Sequence, residues 1–326
     1  MNDTRAVCLL KFIAAFALTL LAASASAQSY PHKPIRIVIP YPAGGGPDIV
    51  TRILTAQISP TLGQPFVMDY RPGGSATLGA NVVAKAPADG YTLLATDHAA
   101  AIFGGALFKQ LPYDPIKDLT IIAPVIRSGF VIAVGAAQNF TSIRELVADA
   151  KANPAKLQYG HSGIGTVHHL TMEIFKQRAG ISMQDVPYKG AALMSQDLVG
   201  GQIPIGIISP SSAASLIKAG KLRAIAVTTN ARMPSLPDVP AIAEVYPGFE
   251  AYSFVSLFAP SGTPREIIAR LNGEIAKVLR DPEIVKKYLE LGLEATPSTV
   301  EESNQLVARE LALWPDVVRK LRISLD

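Results

Sequence analysis

The chain has 326 residues, of which 49% are hydrophobic and 17% charged, so it is long enough for two ordinary domains with apolar cores. Its formal net charge is only +4 and its basic residues are scattered, which does not support a nucleic-acid footprint. A single cysteine excludes a disulfide framework within the chain.

The first 27 residues have the three parts of a secretory signal peptide. A basic flank precedes the apolar run Phe12–Ala23, which is too short to span a bilayer comfortably, and Ala25-Ser26-Ala27 is a small-residue cleavage site. We expect cleavage after Ala27, which leaves a net charge of +3 and removes Cys8, the one cysteine. No later apolar run reaches the roughly 18 residues of a membrane span, so we expect a soluble mature protein.

The first stretch of the mature chain reads as a strand, a glycine loop and a helix. Residues 35–39 are β-branched except Arg36, which predicts a buried strand, and three glycines follow at 44–46 before Pro47 and Asp48 open a helix. Uncovered N–H groups at a helix start suit an anion, and we expect a carboxylate there. Alternatively, the glycines serve only a tight turn, and Asp48 caps the helix without touching a ligand.

Two further strands, at 66–69 and 91–95, flank a small-residue helix over 77–85. This alternation implies right-handed crossovers and a parallel sheet, whose ligands collect beyond the carboxyl ends of the strands. Thr96, Asp97 and His98 should therefore share an edge with the glycine loop. Asp97 and His98 could form a general acid–base pair, but polar residues of a binding cleft are the preferred interpretation.

The same order of elements returns further along the chain. Residues 120–134 predict two strands that break at Arg127-Ser128-Gly129, where the chain crosses to a second domain. A helix over 142–151, a strand at 157–159 and a glycine loop at 160–166 then lead into a helix. This second strand, glycine loop and helix occupies the same structural location as the first.

The rest of the chain completes the second domain and returns to the first. Strands are predicted at 184–188, 203–208 and 222–227, with a helix after Gly190, and residues 229–248 form a proline-rich loop with one short helix. The strand 254–259 crosses back, and helices over 264–280, 282–291 and 299–321 cover the first domain. The expected domains are 28–127 plus 251–326, and 128–250.

Several site motifs are absent. Ser162 does not lie in Gly-x-Ser-x-Gly, because position 164 is Ile, and neither a dinucleotide fingerprint nor a nucleotide-binding loop follows the first glycines. His168 and His169 are adjacent and face different ways on a helix, so we expect no metal and no cofactor. His169 is open to two interpretations, a packed helix residue or a ligand contact.

Seven short motifs follow one another along the mature chain: Pro40–Asp48, Tyr70–Gly74, Ala88–Leu94, Leu111–Asp114, Val186–Gly190, Ala219–Arg223 and Phe258–Pro264. Together they resemble those of the Bug-type, TctC-like periplasmic solute receptors. These receptors are the substrate-binding components of tripartite tricarboxylate transporters. The likeness covers essentially the whole mature chain, and seven motifs in order make it specific.

The resemblance implies an α/β two-domain periplasmic binding protein, a type II-like flytrap whose domains are each a mixed, mostly parallel sheet flanked by helices. The domains would close over a small carboxylate held by backbone amides of the two glycine loops, with the turn after the third strand meeting its distal part. The expected ligand-binding residues are Tyr41, Ala43, Gly44, Gly45, Gly46, Asp48, Thr96, Asp97, His98, Ser162, Gly163, Gly165, Thr166, His169, Tyr188 and Ser209.

Two positions depart from the family pattern. Similar proteins often carry acidic residues where this chain has Pro204 and Ile208. The loss of an amine partner at position 208 makes an amino-acid ligand less expected and a plain or aromatic carboxylate more so. His98 would then bond a far carboxyl or hydroxyl group.

The resemblance further implies a non-catalytic, monomeric carrier in the periplasm that presents its ligand to membrane permease subunits. Its hinge is expected at the paired crossovers 127–129 and 250–252. Two alternatives remain open at this point. One is a receptor that feeds a signalling protein, and the other is a periplasmic hydrolase or isomerase that uses Asp97 and His98.

Overall fold

The computed structural model describes residues 30–321 and 323. The predicted signal peptide and its cleavage site lie outside the described residues, so both remain predictions. Among the described residues, no helix combines the length and apolar character needed to cross a bilayer.

Eleven strands are described, and their bounds are β1 Ile35–Ile39, β2 Phe66–Tyr70, β3 Thr92–Asp97, β4 Leu119–Ser128, β5 Val131–Gly135, β6 Gln158–His161, β7 Gln184–Pro187, β8 Ile205–Ile208, β9 Leu222–Val227, β10 Ser253–Pro260 and β11 Glu294–Ala295. The α-helices of the same part of the chain are α1 Gly46–Leu62, α2 Thr77–Ala84, α3 Gly104–Leu107, α4 Ile143–Ala152, α5 Val167–Ala179, α6 Ala191–Val199, α7 Pro210–Lys218, α8 Arg265–Leu279, α9 Pro282–Glu290 and α10 Val300–Leu321. A π-helical turn covers Ala99–Phe103, and short 3₁₀ turns cover Gly74–Ala76 and Ile242–Glu244.

The strands form two separate sheets. One has the order β11-β4-β10-β3-β1-β2 and the other β7-β6-β8-β5-β9. We call each sheet with its flanking helices a lobe, the six-stranded one being the first. In both sheets the βαβ units give parallel pairs, whereas β10 in the first and β5 in the second pair antiparallel with both neighbours. The two-lobed α/β architecture is as expected, but antiparallel pairs are at least as frequent as parallel ones, so neither sheet is mostly parallel.

The sheets are buried because their strands are apolar on both faces. Ile35, Ile37, Val38 and Ile39 of β1 are all inaccessible to solvent, as expected for a strand covered by helices on both sides. Helix α1 buries the spaced residues Val50, Leu54, Ile58 and Leu62 and contacts α8 across the lobe. It ends at Gly63, whose left-handed backbone (φ 69°) lets its N–H group bond Ser59 O.

Both chain crossings between the sheets meet at Thr228. The chain leaves β4 and enters β5 through Gly129 and Phe130, and it returns to β10 past Ala251. The buried Thr228 hydroxyl accepts the Phe130 N–H group at 2.7 Å and donates to the Ala251 carbonyl at 2.8 Å. One side chain therefore ties the outgoing and returning segments together.

Most predicted elements are confirmed within a few residues, but α7 was not predicted. It begins directly after β8, with Ser209 as the N-cap residue and Pro210 in its first turn. Serine before proline is a helix-start signal. The run of small residues that follows weakens the apolar period that would have extended this signal into a helix prediction. The short strand β11 was also missed.

Candidate functional site

A small cavity, of about 20 Å³, lies where the two lobes meet. Its wall on the first lobe comes from α1, β3, β4 and β10, and its wall on the second lobe comes from α5 and α7. The lining residues are Gly46, Pro47, Val50, Asp97, Ile126, Ser128, His168, Ser209, Ser211, Ser253, Val255 and Leu293. With the lobes in this arrangement the cavity has room for about one water molecule, so a larger ligand requires the lobes to lie further apart.

The first turns of three helices line this cavity. Gly46 and Pro47 begin α1, His168 is the second residue of α5, and Ser209 caps α7. A helix N-terminus carries unsatisfied N–H groups and the positive end of the helix dipole. Three such ends around one small space make it receptive to an anion.

Ser211, in the first turn of α7, has a free hydroxyl in this wall. The residue is only 7% exposed, and its buried Oγ atom has no hydrogen-bond partner among the described residues. A methyl group on Gly46 would lie 3.7 Å from this Oγ atom, which places the hydroxyl beside the start of α1. A buried polar group without a partner is unfavourable, so a ligand atom here would be stabilised.

The first glycine loop is held from within by Asp48. One carboxylate oxygen of Asp48 accepts the Gly44 N–H group at 2.8 Å, and the other accepts Arg52 Nε at 2.8 Å and the Tyr70 hydroxyl at 2.7 Å. Asp48 thus stabilises the helix start, which supports the capping interpretation over ligand contact. Of the predicted loop residues, Gly46 lines the cavity, whereas Ala43 and Gly44 are exposed.

The second glycine loop directs two of its amides at histidines. Nδ1 of His161 lies 2.9 Å from the Gly163 carbonyl oxygen and 3.2 Å from the Gly163 nitrogen, and the Gly165 N–H group donates to Nδ1 of His169 at 3.1 Å. Thr166 caps α5, and its hydroxyl also donates to the Gly163 carbonyl at 2.7 Å. These hydrogen bonds stabilise the loop. The cavity wall contains none of Gly163, Gly165, Thr166 and His169.

His168, which sequence analysis did not select as a ligand residue, carries the link between this loop and the cavity. Its Nδ1 atom lies 2.9 Å from Ser162 Oγ and its Nε2 atom 3.2 Å from Ser209 Oγ, while its ring packs against Phe130 at 4.4 Å. Burial lowers the pKa of His168 to about 3, with the neighbouring His161 as a second cause. The ring is therefore neutral at pH 7 and can offer one N–H group to the site.

Asp97 and His98 point in different directions. Asp97 lines the cavity and accepts the Tyr41 hydroxyl at 2.7 Å, and burial, with the Asp97 carboxylate second, raises the pKa of Tyr41. His98 stacks on Phe254 at 5.0 Å and places Nε2 3.0 Å from Ser256 Oγ, with Nδ1 3.5 Å from Glu310 of α10. His98 is thus held away from the cavity wall in which Asp97 lies.

The remaining predicted residues also differ in whether they lie in the cavity wall. Ser209 is in the cavity wall. Tyr188 lies in the second lobe, where its hydroxyl donates to Asp197 at 2.8 Å. Thr96 is buried with an Oγ1 atom that has no partner among the described residues, but it is not in the wall. The serines at 128, 211 and 253 were missed, because isolated serines carry no sequence signal for a site.

One cluster of the second lobe has side chains that metals prefer. Possible ligand atoms of His161, His169 and Asp185 lie within 4.8 Å of one another. However, Nδ1 of His169 accepts the Gly165 N–H group. In the neutral ring the proton is therefore on Nε2, and neither ring nitrogen has a lone pair free to bind a metal. Nearby Lys176 adds a positive charge, bonded to Glu173 at 2.6 Å. The cluster is better explained as hydrogen-bonded support for the loop.

Neither of the residue pairs considered for hydrolysis has the geometry of a catalytic pair. Ser162 does contact His168, but the far nitrogen of His168 faces the Ser209 hydroxyl and no carboxylate, and its lowered pKa makes it a poor general base. The His98 ring lies against Phe254, Ser256 and Glu310, whereas Asp97 is in the cavity wall, so the two are not placed as an acid–base pair on a molecule in the cavity. What the cavity offers is a set of fixed hydrogen-bond donors and dipoles, which serve binding.

The two lobes are in direct contact around the cavity. The Ser75 hydroxyl of the first lobe donates to the Ile164 carbonyl of the second at 2.5 Å. Gly190 lies so close to Pro42 that a methyl group on it would approach Pro42 Cδ to 2.7 Å. These contacts join each predicted glycine loop region to the opposite lobe, and the structure is that of a closed cleft.

Comparison with known proteins gives a consistent result. Residues 50–323 match the family described as "Tripartite tricarboxylate transporter family receptor". Protein BugT of Bordetella pertussis is 33% identical over 323 residues, which cover 98% of this chain and 98% of BugT. These matches span nearly the whole described chain.

Solved structures of similar proteins include two with bound carboxylates. R. palustris Rpa4515 with adipate is 34% identical, with a TM-score of 0.88 over 91% of this chain and all of that one. MatC from Rhodopseudomonas palustris with bound malate is 29% identical, with a TM-score of 0.83 over 89% of this chain and all of that one. Both therefore share the two-lobed fold as well as the sequence pattern.

Proposed function

Because the chain belongs to the tripartite tricarboxylate transporter receptor family, we propose that it captures a small carboxylate between its lobes in the periplasm and delivers it to the permease of such a transporter. The proposal includes secretion by the signal peptide, with cleavage after Ala27, and a monomeric carrier that performs no chemistry on its ligand.

The observation that carries this proposal is the meeting of three helix N-termini at one small interlobe cavity. Helix ends fix their N–H groups in place before the ligand arrives, so little entropy is lost when they replace water around a carboxylate. The Ser211 hydroxyl adds a donor that has no other partner among the described residues.

The ligands of two similar proteins support the same chemical class. Adipate is bound by one relative and malate by another, and both are small carboxylates. The present cavity has only about 20 Å³ of space, so a ligand of this class would hold the lobes further apart than they lie here. The identity of the ligand does not follow from these relatives, because pocket side chains determine specificity.

The finer expectation, a plain or aromatic carboxylate without an amino group, was drawn from Pro204 and Ile208. In the structure Ile208 is fully buried among apolar residues of the second lobe, beside Val131 and Met194. Its side chain is therefore not in the cavity wall, and the choice between amino and non-amino ligands falls to the residues that are.

Release to a permease requires that the lobes open, and we propose a hinge at the segments tied by Thr228. A permease can distinguish loaded from empty receptor if the ligand binds the closed state more tightly than the open one. The interlobe contacts at Ser75 and Gly190 would form only on closure.

A ligand panel tests the proposal. Mature protein, cut after Ala27, is screened by thermal shift against mono-, di- and tricarboxylates, amino acids and neutral sugars. A ligand at 100 times its Kd stabilises the folded protein by about 2.7 kcal/mol, so a true ligand raises Tm measurably. We expect one or more of the compounds that carry a carboxylate to raise Tm and the neutral sugars to leave it unchanged. Stabilisation by neutral sugars, with no response to any carboxylate, would reject the proposal.

A further inference from the structure

His168 joins two serine hydroxyls of the second lobe through its two ring nitrogens. Its Nδ1 atom lies 2.9 Å from Ser162 Oγ and its Nε2 atom 3.2 Å from Ser209 Oγ. Because burial lowers the pKa of this ring, it is neutral at pH 7, with one nitrogen a donor and the other an acceptor. The position of the single ring proton therefore decides which serine donates to the ring and which accepts from it.

The neighbours of Ser162 assign that proton. The Thr166 hydroxyl donates to the Gly163 carbonyl at 2.7 Å, so its oxygen is left to accept, and the Ser162 hydroxyl donates to it at 3.4 Å. With its own proton used in this way, Ser162 accepts the Nδ1–H group of His168. Nε2 of His168 then carries the lone pair and accepts the Ser209 hydroxyl. The opposite tautomer would use the Ser162 proton on His168 and leave the contact with Thr166 without a hydrogen bond.

This chain of hydrogen bonds fixes the polarity of Ser209 in the cavity wall. The Ser209 side chain makes no capping bond to α7, and its hydroxyl proton is directed to His168. Its oxygen therefore presents a lone pair to the cavity and accepts hydrogen bonds there. All the residues of the chain belong to the second lobe, so the arrangement does not depend on how far apart the lobes lie.

Ser211 stands beside Ser209 and its hydroxyl is free to donate. A methyl group on Gly46 would lie 3.2 Å from Ser209 Oγ and 3.7 Å from Ser211 Oγ, so both hydroxyls face the same point across the cavity. The Ser211 hydroxyl is buried without a partner among the described residues, and it can donate to a carboxylate oxygen. When the lobes lie further apart, the space that opens in front of Gly46 is thus flanked by an acceptor and a donor at the start of α7.

We propose that His168 makes Ser209 a hydrogen-bond acceptor and that the protein consequently selects α-hydroxycarboxylates. The ligand hydroxyl donates to Ser209 Oγ, while the adjacent carboxylate accepts from Ser211 Oγ and the first amides of α7. The hydroxyl belongs on the α carbon because the two serines lie in one turn of the helix. The inference rests on the proposed function, since it specifies the group beside a carboxylate bound between the lobes. His168 is a positioning residue, which acts on the ligand through Ser209.

Matched acids test this specificity. Calorimetric Kd values are measured for butyrate, α-hydroxybutyrate and β-hydroxybutyrate, and for equivalent sets of other chain lengths with one or two carboxylates. Within the best-binding length, we expect the α-hydroxy acid to bind at least about tenfold tighter than the acid without a hydroxyl and than the β-hydroxy acid.

Substitutions test whether His168 sets this preference. His168→Phe keeps a flat ring against Phe130 and removes the nitrogen that orients Ser209. Its Ser209 hydroxyl can turn towards the ligand, so we expect the preference for the α-hydroxy acid to fall about tenfold. Ser209→Ala should lose the preference to the same extent, and the double variant should lose no more than Ser209→Ala alone. The control is His32→Phe, because His32 is exposed, contacts Tyr91 and is not in the cavity wall.

A spectroscopic measurement tests the tautomer without any ligand. Proton–nitrogen correlation spectra of protein with isotopically labelled histidine distinguish a protonated ring nitrogen from a bare one. His168→Phe or His168→Gln identifies the signals of this ring by their loss. We expect the ring proton on Nδ1. A ring proton on Nε2 would overturn the assignment of Ser209 as an acceptor.

The outcomes separate this inference from the function on which it rests. If carboxylates bind the wild-type protein without preference for an α-hydroxyl, or if His168→Phe folds and keeps the full preference, the role of His168 is refuted and carboxylate capture stands. The wild-type ratio decides the question even if the variants do not fold. If carboxylates of every length fail to bind, carboxylate capture itself is refuted, and the inference with it.

Discussion

Gly46 and Ser209 bring the two lobes together at the cavity: a methyl group on Gly46 would lie 3.2 Å from Ser209 Oγ. Each residue stands at the start of a helix, Gly46 in the first lobe and Ser209 in the second. The absence of a side chain at Gly46 thus allows two helix N-termini to approach one small ligand from opposite sides.

This contact predicts the effect of a larger residue at position 46. Gly46→Val would force its methyl groups against Ser209, and overpacking of this kind typically costs about 1–3 kcal/mol. Because the clash exists only when the lobes are closed, we expect ligand affinity to fall about tenfold or more while Tm without ligand is little changed. Calorimetric titration with the best ligand of the panel measures this.

A matched control exists in α8. A methyl group on Gly273 would have no heavy atom within 4 Å, so Gly273→Val introduces the same side chain into open space. It should leave affinity unchanged. Equal affinities for wild type and Gly46→Val would show that closure does not bring these helix ends together.

The hydrogen bond from Ser75 to Ile164 O provides a milder test of closure. Ser75 has a left-handed backbone (φ 51°), so Ser75→Gly removes the hydroxyl without backbone strain. A hydrogen bond contributes about 0.5–1.5 kcal/mol, and we expect affinity to fall by a factor of roughly 2–10. Small-angle scattering of the unliganded variant should show the same or a more open shape. A more compact shape would contradict the proposed role.

Thr228 predicts a large stability effect from the loss of one oxygen. Thr228→Val keeps the shape but leaves the buried Phe130 N–H group and Ala251 carbonyl without this partner, and each such loss costs about 1–3 kcal/mol. We expect a lower free energy of unfolding in urea titrations. The control is Thr171→Val, because the Thr171 hydroxyl is buried without a partner among the described residues and its removal should be neutral or stabilising. A loss of unfolding free energy in Thr171→Val as large as that in Thr228→Val would contradict the role assigned to the Thr228 hydroxyl.

The buried histidines predict how stability depends on pH. The pKa of His168 is lowered to about 3 and that of His169 to about 4, in both cases first by burial and second by His161. Between about pH 6.5 and these values the unfolded chain binds protons that the folded protein does not, so stability falls as pH decreases. Each histidine contributes a slope of up to about 1.4 kcal/mol per pH unit.

Urea unfolding at pH values from about 7 to about 4.5 measures that slope, in a range above the usual pKa of carboxylates. His168→Gln removes one of the groups and should reduce the slope by up to about one proton. A slope that is zero in the wild-type protein, or unchanged in the variant, would show that His168 titrates normally in the folded state.

The comparison of sequence with structure shows which kinds of information a pattern holds. Strand and helix positions followed from apolar spacing and from proline and glycine signals, because these reflect local backbone preferences. Helix α7 was not predicted, because it begins with the small residues Pro210 to Ala214, which show little apolar periodicity.

Side-chain direction was harder to predict than backbone position. Asp97 and His98 are neighbours in sequence, and their side chains point to opposite sides, one to the cavity and the other to Glu310. The amides of Gly163 and Gly165 were expected to face the ligand, but each lies against a histidine nitrogen of the same segment, in His161 and His169. A glycine loop therefore indicates where N–H groups are uncovered, and the folded surroundings decide what they bind.

The central claim is that a small carboxylate lies between the lobes at the helix N-termini. A crystal structure of the mature protein with its best-binding ligand tests this most directly. We predict carboxylate oxygens within hydrogen-bond distance of the Gly46 N–H group or Ser211 Oγ, inside the cavity walled by His168 and Asp97. A ligand bound outside that cavity, or a carboxylate that faces away from all three helix starts, would contradict the account.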